Sequence, residues 1–447
     1  MIKKTLHWTT AGCLMLGMAG ATWAQQGGGS SASTSNVPVL ASGQMPNSTP
    51  TANAELANTY RLGITAGTHF DDNAVLTARP RQWDLAYTLF PLIEFTETRP
   101  RLNWRVSYSP GVDISQNLLY RNQFAQQFNG RFDWLVSPHG LLTAQEYFLI
   151  STNPFAQLGG AAGSPGPTIA PNEGPFIPNI RRTSTLTHAL YSYRFTEHSS
   201  VGIGGDFLLA KFDDTPRKGP SVALINSQRV SGEAYFDHQF SNRESLGVQY
   251  GIQVLKFPRS DARTTTHTIL VFDQITISPR STFTIFGGPE YSDTFNQVVL
   301  NLGFFVLTIP VRAQSWSGAG GVIYNWTGNR LGLALDFRRG VSDGGGLVGA
   351  VELNSGHSTI SWRLSRHWSL ESTLGGSSSV LLATQNNQEL LTYSARAQLS
   401  QEITENLSMH WYYGRVNETG GFGNFPIGNH DIAGASLTFS VLKPIGR

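Results

Sequence analysis

Arginine and carboxylate residues recur at alternate positions inside runs that are otherwise apolar or small. Arg131 and Asp133 are one residue apart, and so are Asp336 and Arg338. Residues i and i+2 of an extended strand point to the same side, so each pair shares one face. The residues predicted to share an inward face are Arg61, Arg105, Arg131, Asp133, Arg194, Asp206, Glu233, Asp237, Asp336, Arg338, Arg363, Glu371 and Arg396.

Two interpretations of this charged set stay open. In the first, each arginine only forms an ion pair with its neighbouring carboxylate, which is the simpler explanation for any single residue. Alternatively, the set lines a polar passage whose field orients and sieves hydrophilic solutes, as rings of charged side chains do in channels. The amount of Gly, Ser, Thr and Gln that shares the charged face favours a wet interior.

Residues that commonly carry out catalysis or bind metals are scattered. The histidines in or near strand-like runs lack the spacing of metal ligands, and no local motif marks a nucleophile with its base. The sequence therefore predicts no enzyme, no metal site and no cofactor. These histidines are His188, His238, His267, His357 and His410.

Composition limits the classes further. Only 14% of the 447 residues are charged, 47 are glycine and 11% are aromatic, a mixture that suits strands and turns better than helices. The formal net charge is +2, and Lys3 and Lys4 account for it. A near-neutral remainder gives no electrostatic case for nucleic acid as a partner. The only cysteine is Cys13, so the chain after the leader has no disulfide or thiolate metal site.

The amino terminus has the pattern of a secretory signal peptide over residues 1–24. Lys3 and Lys4 precede a short apolar stretch, and small residues end at Ala24. Residues 25–57 are rich in Gly, Ser, Thr and Pro and carry few large apolar groups, which predicts a disordered linker. The third predicted segment is a folded domain over residues 58–447.

The folded domain consists of repeated hairpins. Between Gln314 and Phe337, large apolar residues alternate with small or polar ones on both sides of a tight Thr327–Arg330 turn. Eight short turns of similar chemistry place an apolar residue before a Ser or Thr. They alternate with long polar connections, so we count about 18 strands, with 16–20 possible. The turn repeat alone also fits a propeller or a solenoid.

Strand length and the chemistry of the two faces discriminate between these folds. Leu246, Val248 and Tyr250 alternate with Gly247 and Gln249 in a run of about ten to thirteen residues, the length that crosses a bilayer at a tilt. Aromatic residues lie close to the short turns, where an interfacial girdle belongs. We therefore predict an all-β fold: one large antiparallel transmembrane up-and-down β-barrel, with short periplasmic turns and long outer loops. A secreted propeller or sandwich is the alternative.

The closing strand adds a resemblance. Leu437, Phe439 and Val441 alternate with small or hydroxyl residues after Gly434, and from Tyr60 to Leu442 the chain resembles a Gram-negative outer-membrane β-barrel of porin-like architecture. The resemblance implies a bacterial outer-membrane location, contact with outer-membrane lipid, and recognition of this strand by the barrel assembly machinery. Family members end on an aromatic residue, whereas here Lys443–Arg447 follows.

The predicted function is passive passage of hydrophilic solutes, or of an exported polymer, through this barrel. We expect either Thr152–Ile180 or Ser292–Val311 to narrow the passage. Within the latter, residues 298–310 are either a loop segment folded into the mouth or an uncounted strand. The rival hypothesis is a closed barrel that serves as an envelope assembly or interaction factor, and an outer-membrane hydrolase is the third. No oligomeric state is predicted.

Overall fold

In the computed structural model, the described residues are 58–74, 81–119, 122–151, 181–212, 225–258, 261–301, 306–344, 349–382, 389–420 and 428–445. The predicted signal peptide, the predicted linker and the Thr152–Ile180 connection lie outside them. The strands are β1 (Thr59–Asp71), β2 (Asp84–Arg99), β3 (Leu102–Ser115), β4 (Gln123–Ser137), β5 (Gly140–Ser151), β6 (Arg182–Arg194), β7 (Ser199–Phe212), β8 (Ser227–Ser241), β9 (Glu244–Phe257), β10 (Ala262–Ser278), β11 (Ser281–Asn301), β12 (Val306–Thr327), β13 (Leu331–Ser342), β14 (Val351–Arg363), β15 (Trp368–Leu381), β16 (Glu389–Thr404), β17 (Leu407–Gly420) and β18 (Asn429–Pro444).

The eighteen strands form one closed antiparallel barrel. Each strand pairs with its neighbours in the chain, and β1 closes the ring by pairing with β18 from Thr59↔Pro444 to Asp71↔Ile432. The predicted all-β fold, the up-and-down topology and the strand number are therefore confirmed. Thr59 also pairs with Thr96, close to the short β2–β3 turn. Both ends of the barrel domain thus lie at the rim that carries the short turns.

The short turns are stabilised by their own hydroxyl residues. In six of them, a Ser or Thr oxygen accepts the main-chain N–H two residues later, at 3.2 or 3.3 Å, which is the local contact that favours these residues in turns. The pairs are Ser137/His139, Thr196/His198, Ser241/Arg243, Ser278/Arg280, Ser365/His367 and Thr404/Asn406. In the β12–β13 turn, the N–H of Gly328 instead donates to Leu331 O at 2.7 Å.

The two faces of the wall differ as the period-two pattern predicts. Leu62 and Ile64 of β1 are exposed on the outer face, whereas Arg61, Gly63 and Thr65 alternate with them on the inner face. The same alternation of exposed apolar and less exposed small or polar residues continues around the ring. An outer face of this kind is stable only against an apolar environment.

Aromatic rings mark both ends of the apolar outer face. On the side of the long connections, ring contacts link Tyr250, His267, Tyr291 and Trp316, with centroid distances of 6.3, 6.4 and 5.1 Å. Near the short turns, the rings of Trp368 and Trp411 stack at 5.7 Å. We call these two sets the upper and the lower aromatic girdle. Their positions match those of interfacial aromatic residues in outer-membrane barrels.

The inner face also holds aromatic rings, which the sequence pattern did not predict. A Cβ added to Gly247 of β9 would lie 2.1 Å from Phe272 Cζ of β10, so the Phe272 ring lies flat against the glycine of the neighbouring strand. Tyr235 covers Gly202 in the same way. With their neighbours, these rings form a buried apolar cluster on the inner wall, made of Leu190, Tyr235, Phe272, Phe286 and Ile323. We call it the inner apolar cluster.

No helix within the described ranges is both long enough and apolar enough to cross a membrane.

Candidate functional site: the inner wall and an inward-folded connection

The thirteen residues of the predicted inward-facing set all lie on the inner side of the wall. The register links them from strand to strand: Arg61 stands opposite Glu94, Asp206 opposite Ser231, and Arg396 opposite Thr373. The exposed apolar residues of these strands, such as Leu62, Phe236 and Phe337, lie at the alternate positions and face outward. Whether any of them contacts a solute remains a prediction.

Several of these charges satisfy each other at close range. Arg131 Nε donates to Asp133 Oδ2 at 2.7 Å, and Arg338 Nε donates to Asp336 Oδ1 at 2.8 Å. These are the two i, i+2 pairs whose spacing is visible in the sequence. Across strands, Arg105 Nη2 donates to Glu94 at 2.8 Å. These arginines and carboxylates therefore neutralise each other as hydrogen-bonded ion pairs, which fixes their charges in place along the wall.

A second polar group lies on β6–β9. His188 Nδ1 is 2.5 Å from Asp206 Oδ1, and the Ser231 hydroxyl donates to the other oxygen of Asp206 at 2.8 Å. Gln249 Nε2 donates to Glu233 Oε2 at 2.6 Å. The serine contacts the carboxylate rather than the imidazole, so this geometry does not place a hydroxyl against a base as a nucleophile requires. The alternation of β6 could have identified His188 as inward-facing, because it shares the face of Arg182 and Arg194.

Carboxylates outnumber arginines on the inner side of the described wall. The inward carboxylates are Asp71, Asp84, Glu94, Asp113, Asp133, Asp206, Glu233, Asp237, Glu290, Asp336, Glu371, Glu402 and Glu418. The inward arginines are Arg61, Arg105, Arg131, Arg182, Arg194, Arg229, Arg338, Arg363 and Arg396. A lumen lined in this way carries net negative charge and attracts cations.

Within the part of the chain that the structure describes, no group of three or more His, Cys, Asp or Glu side chains could hold a metal ion.

The connection between β13 and β14 narrows the barrel. The β12–β13 ladder stops at Gly320↔Arg339, and beyond it β13 pairs only with β14. The described ends of this connection, 341–344 and 349–350, are all buried. A connection at a barrel mouth is normally surrounded by water, so its burial shows that it folds inward. We call its described parts, residues 340–344 and 349–350, the inward connection.

Side chains of the distant wall hold the inward connection. The Ser227 hydroxyl of β8 donates to Asp343 Oδ2 at 2.5 Å. Gln253 Nε2 of β9 donates to Val341 O at 3.3 Å. Val341 also packs in a buried apolar cluster, whose other buried members are Leu255, Phe257, Ala262 and Ala350. The connection therefore reaches across the interior from β13 to β8, five strands away around the ring.

The expectation that Ser292–Val311 narrows the passage is wrong, and so are both interpretations of residues 298–310. The segment is neither a folded-in loop nor an additional strand. It extends β11 and β12, which stay paired as far as Asn301↔Val306. The alternative, Thr152–Ile180, lies outside the described residues. The apolar character of Val298–Pro310 resembles an inserted segment because sequence alone does not show how far a hairpin continues.

This long β11–β12 hairpin carries an ion pair beyond the upper aromatic girdle. Arg312 Nε donates to Asp293 Oδ1 at 2.8 Å, two residues past Tyr291 along β11. The hydrogen bond from the Arg312 guanidinium lowers the pKa of Asp293. Both side chains are partly exposed, so the pair contributes little to stability.

The predicted assembly-signal strand is β18. Leu437 and Phe439 are exposed on the outer face, and Val441 shares their face. Gly434 lies on the inner face beneath the Tyr412 ring, whose Cζ would be 2.5 Å from an added Cβ. The strand continues to Pro444. Recognition of this strand by an assembly machinery stays a prediction.

Comparison with known proteins finds similarity only among solved structures. No family model matches the chain, and no curated protein matches its sequence. Pseudomonas aeruginosa OpdQ aligns over 87% of this chain and 99% of its own, with 8% identity and a TM-score of 0.40. Acinetobacter baumannii OccAB4 aligns over 88% and 100%, with 7% identity and a TM-score of 0.43. The siderophore receptor PirA of Pseudomonas aeruginosa aligns over 86% and 80%, with 11% identity and a TM-score of 0.36.

Proposed function

We propose that the protein spans a bacterial outer membrane and lets small hydrophilic solutes diffuse passively through its lumen. One observation carries the proposal: the ring of eighteen strands is closed, with apolar side chains outside and charged, hydroxyl and small side chains inside. Each strand pairs with both of its neighbours around the ring, so no strand leaves one edge unpaired along its whole length, as a sheet placed in lipid requires. The predicted signal peptide and the two aromatic girdles support an outer-membrane location, with lipid as a partner.

The inner wall determines which solutes this passage favours. Fixed pairs such as Arg131–Asp133 and Arg338–Asp336 present alternating charge without mobile side chains. The excess of carboxylates gives the lumen a negative potential, so hydrophilic cations and neutral solutes enter more readily than anions. The inward connection reduces the cross-section and places Asp343 inside it. An exported polymer is a second class of cargo that the same polar wall accommodates.

Single-channel recording tests the proposal. Purified protein inserted into planar bilayers should show stepwise ion conductance, because water and ions fill a polar lumen. Liposomes carrying the protein should swell in small neutral sugars and stop swelling as the sugar size increases. Folded barrels, verified by circular dichroism, that give neither conductance nor swelling would contradict a pore.

The rival function is a closed barrel that acts as an envelope assembly or interaction factor. It gains some support from the pairing of the interior charges and from the inward connection, both of which reduce free space. A stoichiometric envelope partner that co-purifies with a non-conducting barrel would favour it. Conductance by the isolated barrel would instead favour the pore.

A further inference from the structure

The upper end of β13 is bound to the inner wall instead of to the neighbouring strand β12. The main-chain N–H of Val341 donates to the Glu290 carboxylate of β11. The Val341 carbonyl accepts the hydrogen bond from Gln253. Side chains of two other strands thus take up both main-chain polar groups of Val341.

The register shows which ladder this arrangement replaces. Gly320 stands opposite Arg339, so two residues further Gly318 would stand opposite Val341. That pair does not form. Glu290 is well placed to prevent it, because its carboxylate also accepts the Ser317 hydroxyl at 3.1 Å and approaches Gly340 from the inside. Glu290 therefore acts as a latch that keeps the end of β13 off the edge of β12.

The latch leaves a seam in the wall between β12 and β13. No described residue pairs with β12 on this side beyond Gly320, and Trp316, on the outer face of the same stretch, is 74% exposed. The seam starts just below the Trp316 ring of the upper aromatic girdle. An unpaired strand edge is costly in the hydrocarbon core, whereas water and lipid head groups can satisfy it at girdle depth.

The inner wall just below the seam is apolar, whereas at the seam itself it carries Ser317 and Glu290. Ile323 lies three residues along β12 from Gly320, and the Phe286 ring covers Gly321. Both Ile323 and Phe286 belong to the inner apolar cluster. The seam thus joins a polar strand edge, made of main-chain N–H and C=O groups, to an apolar surface within the lumen.

We propose that the lumen opens sideways at this seam into the outer leaflet and that the opening takes amphipathic molecules with a polar head and an apolar tail. The open edge of β12 binds the head, and the inner apolar cluster accommodates the tail. The inference rests on the membrane-spanning barrel of the proposed function but does not require an open axial pore.

Lipid access to an inward position tests the seam. Ala319 lies on the inner face of β12 at the seam. Ser377 lies on the inner face of β15 at a similar distance from its short turn, and strands pair on both sides of it. The chain after the predicted leader has no cysteine, so Ala319→Cys and Ser377→Cys each carry one dye in lipid bilayers. Lipids brominated near the head group should quench the dye at position 319 several-fold more than the dye at position 377. Equal quenching overturns the seam.

The latch and the ligand class have their own tests on the same variants. Adding Glu290→Ala to Ala319→Cys should reduce the quenching toward the level at position 377, because β13 can then pair with β12. Unchanged quenching would remove Glu290 from the mechanism.

Protection of the same thiols by a ligand tests the ligand class. Laurate should slow alkylation of the Ala319→Cys thiol by a water-soluble maleimide and should leave alkylation of the Ser377→Cys thiol unaffected. Glucose should slow neither reaction. Equal effects of laurate at both positions overturn the ligand class.

Failure of the pore and failure of the seam are distinguishable. Conductance is recorded on the same samples. Quenching that differs between the two positions in a non-conducting barrel supports the seam without the axial pore. Conductance with equal quenching supports the pore and overturns the seam.

Discussion

The Ser227 hydroxyl donates to the Asp343 carboxylate at 2.5 Å, although 116 residues of chain separate them. Ser227 opens β8, and Asp343 follows β13. The two strands are five apart around the ring, so this hydrogen bond crosses the interior instead of following the wall. It anchors the far end of the inward connection.

Loss of this anchor should widen the passage. Ser227→Ala removes a buried hydrogen bond to a charged group, which costs about 1.5–3 kcal/mol in the free energy of unfolding, and it should raise the single-channel conductance. Ser184→Ala is the matched control, because Ser184 and Ser227 both stand opposite Ala210 on the inner face, while Ser184 Oγ has no hydrogen-bond partner among the described residues. If both variants conduct alike, the connection does not limit the flow of ions.

Because an aromatic ring covers one glycine of β9 and not another, replacement of the two glycines by alanine should have different effects on stability. A Cβ at Gly247 would lie 2.1 Å from Phe272 Cζ and 2.6 Å from Phe236 O, whereas a Cβ at Gly251 meets nothing within 4 Å in the described part of the barrel. Gly247→Ala should therefore lower the free energy of unfolding by about 1–3 kcal/mol through overpacking, and Gly251→Ala should not. Urea unfolding in detergent micelles measures both. Equal losses would show that the ring does not lie on the wall.

The charge balance of the lumen predicts a preference for cations. In a salt gradient, the reversal potential should report cation selectivity that weakens as ionic strength rises, because salt screens the fixed charges. The double variant Glu371→Gln, Glu402→Gln removes two inward charges and should shift the potential toward zero. The control, Glu97→Gln with Glu244→Gln, removes two carboxylates of the outer face and should leave the potential unchanged. An anion preference in the unmodified protein would refute the assignment of the lining.

The ion pair beyond the upper girdle predicts a pH dependence. Arg312 lowers the folded-state pKa of Asp293, so its stabilising effect is present above the ordinary aspartate pKa of about 4 and is lost as pH falls through the lowered value. Hydrogen-exchange protection of the β11–β12 hairpin tip, corrected for intrinsic rates, should decrease slightly over that window. In Arg312→Gln the decrease should disappear. The same decrease in both proteins would assign it to another group.

The sequence predicted the barrel because its determinants are local. A period of two separates the faces of Leu246–Val254, and a Ser or Thr at the start of most short turns closes the hairpins through a hydrogen bond only two residues long. The inward direction of residues such as Arg131 and Asp336 follows from the same alternation. These features are encoded within single strands and turns.

The narrowing of the lumen by the inward connection was not predicted, because its determinants are long-range. Gly340–Asp343 has no unusual composition, and the inward bend of β13 is visible only in contacts with distant strands, such as those of Val341 with Gln253 and of Asp343 with Ser227. The flat rings of Tyr235 and Phe272 depend on glycines of neighbouring strands, which sequence spacing does not align. By contrast, the apolar run Val298–Pro310 attracted attention but only lengthens a hairpin.

The pairing of Thr59 with Pro444 has a consequence for the connectivity of the domain. A few residues could join the two ends of the barrel, and the chain could be cut at another short turn, such as Ser278–Ser281, without removing any rung of the sheet. Circularly permuted chains can therefore form the same barrel, because no particular strand has to come first in the sequence.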